Sequence, residues 1–310
     1  MPAIQTVNLT KRYGDLIALS NLNLTIDEGD CFGFIGPNGA GKSTTIRILA
    51  TLLQPTWGEA RICDLVVGFQ SRQIRPLIGY VPDYFGSYED MLVREYLEFF
   101  AAAYDIQGPA RMKVVDDVLG LTDLTHKADA PVDGLSRGMK QRLAIARVLV
   151  HDPKVLLLDE PAGNLDPRAR IEMRELLKEL RRMGKTILIS SHILPELQDL
   201  CNKVGIIEQG ELKYAGPWVE IVKRARTGTI LHVEVASNRQ LAANLLRQDP
   251  QIISVEEKPQ CLEVSVANTA GDYSFVATKL VQGGYRLTLF KEEEVNLETA
   301  FMRLTKGIVQ

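Results

Sequence analysis

Residues 36–43 read Gly-Pro-Asn-Gly-Ala-Gly-Lys-Ser, a glycine-rich loop that ends in a lysine and a hydroxyl. The apolar run at residues 31–35 precedes this loop and predicts a buried strand. Residues 42–53 carry apolar side chains three and four positions apart, which predicts an amphipathic helix closed by the Gln-Pro-Thr run that follows. A strand, a glycine-rich loop and a helix in this order form an arrangement in which backbone N–H groups surround phosphate oxygens.

The residue types in this loop suit contact with a nucleotide. Glycines allow a close approach of the backbone, and a helix start carries a partial positive charge of roughly 0.5. Lys42 would add a full charge at the β and γ phosphates, and Ser43 would give its hydroxyl to Mg²⁺. The residues expected to bind the nucleotide here are Gly36, Pro37, Asn38, Gly39, Ala40, Gly41, Lys42, Ser43 and Thr44. The alternative is a glycine turn that happens to precede a helix.

A second set of polar residues follows two other apolar runs. Residues 155–161 read Val-Leu-Leu-Leu-Asp-Glu-Pro, an apolar run that ends in Asp159 and Glu160. His192 follows the next apolar strand. Because the carboxyl ends of parallel strands meet at one sheet edge, we expect all three beside the phosphate loop. Asp159 is the expected Mg²⁺ ligand, and Glu160 the expected base for the attacking water, assisted by His192 and Lys42. The alternatives are a solvent-facing acidic pair and a structural histidine.

The composition excludes several other classes of protein. The 310 residues have a formal net charge of −3, so they lack the basic excess of a typical nucleic-acid-binding protein, and no nucleic-acid partner is expected. No apolar run approaches the roughly 18 residues that cross a bilayer, so a membrane role would require a partner. The four cysteines are scattered, with no zinc-like spacing, and are expected to be reduced thiols.

The pattern along the chain predicts two domains. Residues 4–26 resemble antiparallel strands, residues 91–150 are mainly helical, and strands and helices then alternate, which favours a largely parallel sheet. From residue 229 the order strand, helix, strand, strand, helix, strand predicts a small split βαβ sandwich, followed by a helix at about 296–305. The expected domains are residues 1–222 and residues 223–310.

Five motifs in this order resemble the ATP-binding cassette proteins over residues 3–222: GPNGAGKST, LSRGMKQRLAIARVL, VLLLDEP, GNLDP and SSH. The resemblance implies an α/β fold, namely a phosphate-loop NTPase cassette with an antiparallel β subdomain and a helical subdomain. The small C-terminal α+β, ferredoxin-like domain would be an addition to that cassette. The implied cofactors are ATP and Mg²⁺, and the implied activity is ATP hydrolysis.

The same resemblance implies roles for residues outside the phosphate loop. Tyr13 would stack on adenine, and Ser136 and Gly138 would hold the γ phosphate of ATP bound to an opposite subunit. Asp166 would join the two halves. Two cassettes, a homodimer or a pair of homologous subunits, would therefore close head to tail around two ATP molecules. Taken alone, Tyr13 could equally be a strand aromatic and Ser136 an ordinary helix N-cap.

Two departures from the family pattern affect hydrolysis and coupling. The signature reads LSRGM where the family has LSGGQ, so Arg137 replaces a glycine and Met139 a glutamine. Asp83 stands where the family usually has a glutamine that senses Mg²⁺ and the attacking water. Asp83 is either a metal-sensing substitute or a surface loop residue.

The segment after Asp83, the run LSRGMKQRL and the appended domain ending in NLETAFMRLTKG together resemble the drug-efflux branch of the daunorubicin-resistance type. The expected function is therefore the ATPase subunit of an exporter. It would lie at the cytoplasmic face of the cell membrane, bound to a separate transmembrane permease subunit. The residues expected in a groove for that subunit, or else in the core, are Tyr84, Phe85, Tyr88, Met91 and Leu92. The alternatives are a soluble ATPase of translation, repair or chromosome maintenance, and a regulatory or dimer-supporting role for the C-terminal domain.

Overall fold

A computed structural model describes residues 1–84, 86, 90–191, 194–225, 229–267 and 272–292. Residue contacts divide the chain into two compact units, Met1–Trp218 and a unit that begins at Val219. In the described part of the chain, no helix is long and apolar enough to cross a membrane. The predicted helix at residues 296–305 lies outside the described residues.

Strands and helices alternate through most of the first unit. Its described strands are β1 (Pro2–Tyr13), β2 (Leu16–Asp27), β3 (Cys31–Ile35), β4 (Trp57–Ile62), β5 (Leu65–Val66), β6 (Ile78–Val81), β7 (Val155–Asp159), β8 (Thr186–Ser191), β9 (Lys203–Glu208) and β10 (Glu211–Pro217). The described helices are α1 (Lys42–Leu49), α2 (Ser71–Ile74), α3 (Val93–Ala103), α4 (Gly108–Leu121), α5 (Arg137–Leu149), α6 (Pro167–Arg182), α7 (Leu194–Leu200) and α8 (Trp218–Ala225), the last of which continues past the division between the units.

The strands of the first unit form two sheets. The antiparallel sheet has the order β2-β1-β4-β5. The larger sheet has the order β10-β9-β3-β8-β7-β6, parallel throughout except for β10. Every residue of β3, β7 and β8 is buried, as expected for strands covered on both faces. Their carboxyl ends therefore meet at one edge of the sheet, where the phosphate loop also begins.

The first helix is shorter than predicted. α1 ends at Leu49, although the apolar spacing continues to Leu53. The backbone turns because Thr51 adopts a left-handed conformation with φ of 61°. The N–H groups of Leu52 and Leu53 then both donate to Arg47 O, which closes the helix several residues before the proline.

The helical region predicted at residues 91–150 contains α3, α4 and α5. Pro109 occupies the first turn of α4, where its missing N–H breaks no helical hydrogen bond. Ser136 begins α5 as its N-cap. Apolar side chains of α5 such as Leu143 and Ile145 are buried, so this helix is held firmly along its length.

The second unit has the predicted split βαβ order. Its described elements are β11 (Thr229–Val235), α9 (Arg239–Arg247), β12 (Ile252–Glu257), β13 (Leu262–Val266), α10 (Ser274–Gln282) and β14 (Leu287–Glu292). The four strands form an antiparallel sheet in the order β12-β13-β11-β14. Alternate residues of β11, namely Leu231, Val233 and Val235, lie in the core of this unit. This alternation of buried and more exposed side chains is the pattern that predicts a strand.

Candidate active site

Two glycines of the phosphate loop are required by close contacts with neighbouring strands. A Cβ on Gly36 would lie 2.2 Å from Ile207 O, a distance that no packed structure tolerates. Gly41 begins α1 with φ of 107°, and a Cβ there would lie 2.7 Å from Ala18 O. The loop is therefore pressed against the sheet, so that its remaining face is turned toward the cavity described next.

The loop borders a cavity of about 460 Å³. The first turn of α1 contains no acidic residue, so the partial positive charge of the helix start is not neutralised locally. The lining consists of Asn38, Gly39, Ala40, Gly41, Lys42, Ser43, Thr44, Asp83, Glu160, Gly163 and Asn164. Volume, glycine content and local charge all suit the phosphate chain of a nucleotide.

Lys42 is held by the loop that precedes it. Its Nζ donates to Gly36 O at 2.7 Å and to Pro37 O at 3.1 Å, and lies 3.9 Å from Glu160 Oε1. The residue is only 6% exposed. Burial lowers the pKa of Lys42, while the charges of Glu160 and Asp159 oppose that shift. The ammonium group thus sits at the centre of the site, between the loop and the acidic pair.

The structure brings the acidic pair at the end of β7 to the phosphate loop. Ser43 Oγ donates to Asp159 Oδ1 at 3.0 Å, and Asp159 is 2% exposed. Glu160 has a left-handed backbone with φ of 51°, which is strained for a residue with a side chain. That conformation places Glu160 beside the cavity while Asp159 stays under the loop.

Ser190 bridges these two acidic residues, and the sequence reasoning missed it. Its Oγ donates to Asp159 Oδ1 at 2.7 Å and accepts the N–H of Glu160 at 2.9 Å. Ser190 is fully buried near the end of β8. One hydroxyl therefore fixes both the carboxylate of Asp159 and the strained backbone of Glu160. A polar residue near the end of an apolar strand was the only signal in the sequence.

Hard oxygen ligands are available for Mg²⁺ at this place. Ser43 Oγ and Asp159 Oδ1 are neighbours, and a small number of protein oxygens is typical of Mg²⁺ sites in which phosphate and water complete the shell. Among the described residues, no group of three or more His, Cys, Asp or Glu side chains is arranged to hold a metal by itself. The donor set fits a metal that arrives with its nucleotide.

Comparison with known proteins supports this interpretation. The ABC transporter family matches residues 19–163. The bacitracin transport ATP-binding protein BcrA of Bacillus licheniformis is 36% identical over 305 residues, 98% of this chain and 97% of the relative. The chain belongs to the ABC transporter family. The Nod factor export ATP-binding protein I of Burkholderia lata is 42% identical over 203 residues, 66% of this chain and 67% of that protein.

Solved structures agree with the family assignment. The dimeric ATP-binding cassette MJ0796 in a post-hydrolysis state, bound to ADP and Pi, superposes with a TM-score of 0.63 and 29% identity, covering 69% of this chain and 98% of that one. The predicted fold class, an ATP-binding cassette, is confirmed. As a member of this family related to ATP-binding transport subunits, the protein is an ATPase whose activity is coupled to transport.

Other residues that the ABC resemblance singled out lie outside the described lining of the phosphate cavity. Tyr13 ends β1, is 45% exposed, and has the Lys11 ammonium 5.1 Å from its ring centre. Ser136 is exposed and caps α5, accepting the Met139 N–H at 3.3 Å. Asp166 is exposed and caps α6, accepting the Ala169 N–H at 2.9 Å.

Asp83, which departs from the ABC pattern, lies on the cavity. It follows β6, is exposed, and lines the cavity together with Glu160. Gly163 and Asn164 also line it, although the sequence reasoning did not select them. The signal in the sequence that could have indicated these two residues was their position three and four residues after Glu160. His192 lies outside the described residues.

Proposed function

We propose that this chain binds and hydrolyses ATP as one of two cassettes that drive an exporter through a separate transmembrane subunit. One observation carries the proposal: the phosphate loop and Glu160 line one cavity, and Asp159 is bonded to Ser43 of that loop, whereas Ser136 lies outside the described lining of the cavity. Relatives named for bacitracin transport and Nod factor export support export as the direction. The protein would lie at the cytoplasmic face of the membrane, bound to its permease.

In the proposed site, residues in and beside the cavity have separate tasks. Backbone N–H groups of residues 38–43 and the Lys42 ammonium bind the β and γ phosphates. Ser43 and Asp159 would hold Mg²⁺, which neutralises charge on the phosphates when bound. Glu160 accepts a proton from the attacking water or orients it. Asp83 stands at the rim of the same cavity, where it would sense the metal.

A second cassette completes the site. Ser136 and Gly138 stand at the start of α5, where helix N–H groups and the serine hydroxyl suit a phosphate from another chain. Asp166 occupies the matching position at the start of α6. In a head-to-tail pair, a homodimer or two homologous subunits, each chain would offer this surface to the ATP bound by the other. The dimeric MJ0796 cassette supports this arrangement.

An open cleft elsewhere on the first unit suits the transmembrane subunit. Its volume is about 240 Å³, and its lining comprises Ala50, Leu52, Arg75, Ile78, Tyr80, Phe100, Tyr104, Arg147, Val148 and His151. Tyr104 stacks on His151 with ring centres 3.9 Å apart, and the Arg147 guanidinium lies 5.3 Å from the Phe100 ring centre. A short cytoplasmic helix with apolar residues and an acidic side chain would match this lining.

The predicted groove residues are only partly described. Tyr84 is exposed, and Met91 and Leu92 are half-buried. Phe85 and Tyr88 lie outside the described residues. The docking cleft is therefore proposed from its aromatic and cationic lining, which includes Tyr104 and Arg147, and this segment is not used.

Replacing Tyr104 tests the docking cleft. We expect Tyr104→Ala to lower ATP-dependent export about tenfold or more, because the aromatic wall that receives the partner helix is lost. ATP hydrolysis by the isolated chain should stay within about twofold of the parent, since Tyr104 lies outside the described lining of the phosphate cavity. Phe69→Ala, which removes an aromatic ring that is 92% exposed, is the matched control. Normal export by Tyr104→Ala would refute the docking cleft.

Replacing Ser190 tests the bridge between the acidic residues. We expect Ser190→Ala to raise the Mg²⁺ concentration for half-maximal hydrolysis by about 10- to 100-fold, because residues that orient a metal ligand have effects of this size. Ser190→Thr keeps the hydroxyl and should recover most of the metal affinity. A merely structural role would lower thermal stability in both variants without changing the Mg²⁺ dependence.

Capture from membranes tests the proposed function. Tagged Glu160→Gln protein is added with ATP and Mg²⁺ to detergent-solubilised membranes of its own source, and bound proteins are identified by mass spectrometry. Recovery of a polytopic membrane protein in roughly equal amount would support the exporter, and charged residues within its spans would narrow the substrate class. Recovery of ribosomal, DNA-associated or other soluble partners alone would favour a soluble ATPase.

A further inference from the structure

The first turns of α5 and α6 are in contact through two small residues. A Cβ placed on Gly138 would lie 2.7 Å from Ala169 Cβ, closer than carbon atoms of packed side chains approach. Gly138 is buried, whereas Ser136 and Arg137 beside it are exposed. The missing side chain at Gly138 therefore allows the two helix starts to pack directly against each other.

An ion pair continues this contact one turn further along both helices. Arg142 Nη2 lies 3.5 Å from Glu172 Oε2, and Arg142 is only 7% exposed. The Nη1 atom of the same guanidinium donates to Asp123 Oδ2 at 3.0 Å. Gly138 and Arg142 lie on one face of α5, as Ala169 and Glu172 do on α6, because residues three and four apart share a helix face.

Ala169 also belongs to the cap of its own helix. Its N–H donates to Asp166 Oδ1, so the residue that packs against Gly138 is the residue that orients Asp166. At the other end of the contact, Ser136 caps α5 within the same helical turn as Gly138. A shift of one helix start must therefore be shared by the other.

The loop that leads from Glu160 to this contact is short and internally bonded. The Gly163 N–H donates to Glu160 O at 2.9 Å, and Leu165 in the same loop is buried. Asp166 follows Leu165 directly. A displacement at Glu160 thus reaches the start of α6 through a segment that has little freedom to absorb it.

We propose that the Gly138–Ala169 contact, extended by the Arg142–Glu172 pair, joins the starts of α5 and α6 into one rigid piece. The Glu160 loop at one ATP site then positions Ser136 for the ATP of the opposite chain. Ala169 is a positioning residue, and glycine is required at position 138 for packing within the chain, whereas any contact of this residue with phosphate is made by its backbone N–H. This proposal rests on the head-to-tail dimer described above.

Exchanging the methyl group across the contact tests the proposal. The parent is Glu160→Gln, whose ATP-driven dimerisation is followed by light scattering. Gly138→Ala places two methyl groups in one space and should raise the ATP concentration for half-maximal dimerisation by about tenfold or more. The double variant Gly138→Ala with Ala169→Gly restores a single methyl group and should return the midpoint to within about threefold of the parent.

Three further measurements make the result specific. Ala169→Val adds bulk from the α6 side alone and should weaken dimerisation, while affinity for a fluorescent ADP at the chain's own phosphate loop stays within about twofold. Ile171→Ala, on an exposed part of α6, should leave dimerisation unchanged. Thermal unfolding confirms that each variant is folded.

The outcomes separate this proposal from the proposed function. A parent that never dimerises in ATP would overturn the head-to-tail dimer and this proposal with it. A parent that dimerises normally, with a double variant as weak as Gly138→Ala, would overturn this proposal alone, because glycine would then be needed only for the approach of ATP.

Discussion

Glu160→Gln should lower the rate of ATP hydrolysis by about two to four orders of magnitude while the protein still binds ATP. Glutamine has nearly the same shape as glutamate but cannot accept the proton of the attacking water. The backbone of Glu160 is left-handed and its N–H is bound by Ser190, and neither feature depends on the side-chain charge. The variant therefore removes the base and retains the geometry around it.

The measurement is steady-state phosphate release at saturating ATP and Mg²⁺, together with nucleotide affinity. Glu175→Gln is the matched control, since Glu175 is an exposed glutamate on α6 that pairs with nearby basic side chains. It should hydrolyse ATP at the parent rate. If Glu160→Gln also did so, the assignment of the base would be wrong and the cavity would need another proton acceptor.

The phosphate loop and the acidic pair were predictable because local sequence determines both. A glycine-rich loop can surround phosphate only between a strand and a helix, and the flanking apolar runs supplied that context. The apolar runs within β3, β7 and β8 indicated buried strands. From parallel strands alone it follows that Asp159 and the loop share one edge of the sheet.

The features that could not be predicted depend on contacts between distant parts of the chain. Position 36 requires glycine because a Cβ there would collide with the carbonyl of Ile207. Position 138 requires glycine for packing because a Cβ there would collide with the methyl group of Ala169. Family resemblance assigned Gly138 to a phosphate and gave no hint of this contact. The role of Ser190 likewise appears only when β7 and β8 are placed side by side.

The helix α1 shows how local signals can mislead. Apolar spacing continued through Leu53 and a proline followed, so the pattern favoured a longer helix. Thr51 instead adopts a left-handed conformation, which the spacing of apolar residues does not report. Hydrophobic periodicity does not report where a helix ends, since after the turn Leu53 is half-buried and Leu52 is 63% exposed.

Lys42→Met should lower the affinity for ATP by about a hundredfold or more. Hydrogen bonds to charged groups contribute about 1.5–3 kcal/mol each, and in the proposed site the ammonium binds two phosphates. Methionine is similar in length and apolar, so the 6%-exposed position stays filled. Lys42→Arg should also lower the affinity for ATP, because a planar guanidinium at this buried position cannot bind both the two loop carbonyls and the phosphates.

Thermal unfolding distinguishes this effect from general damage. Burial lowers the pKa of Lys42 and disfavours its charge, which offsets the loss of its hydrogen bonds to the loop, so Lys42→Met should be about as stable as the parent without nucleotide. Addition of ATP should raise the Tm of the parent and not that of the variant, since stabilisation by a ligand scales with its occupancy. A variant whose Tm rises with ATP as much as the parent's would show that the phosphates are held by the loop backbone alone. In that case the principal electrostatic contribution to phosphate binding would come from the helix start and the glycine amides, and not from the ammonium.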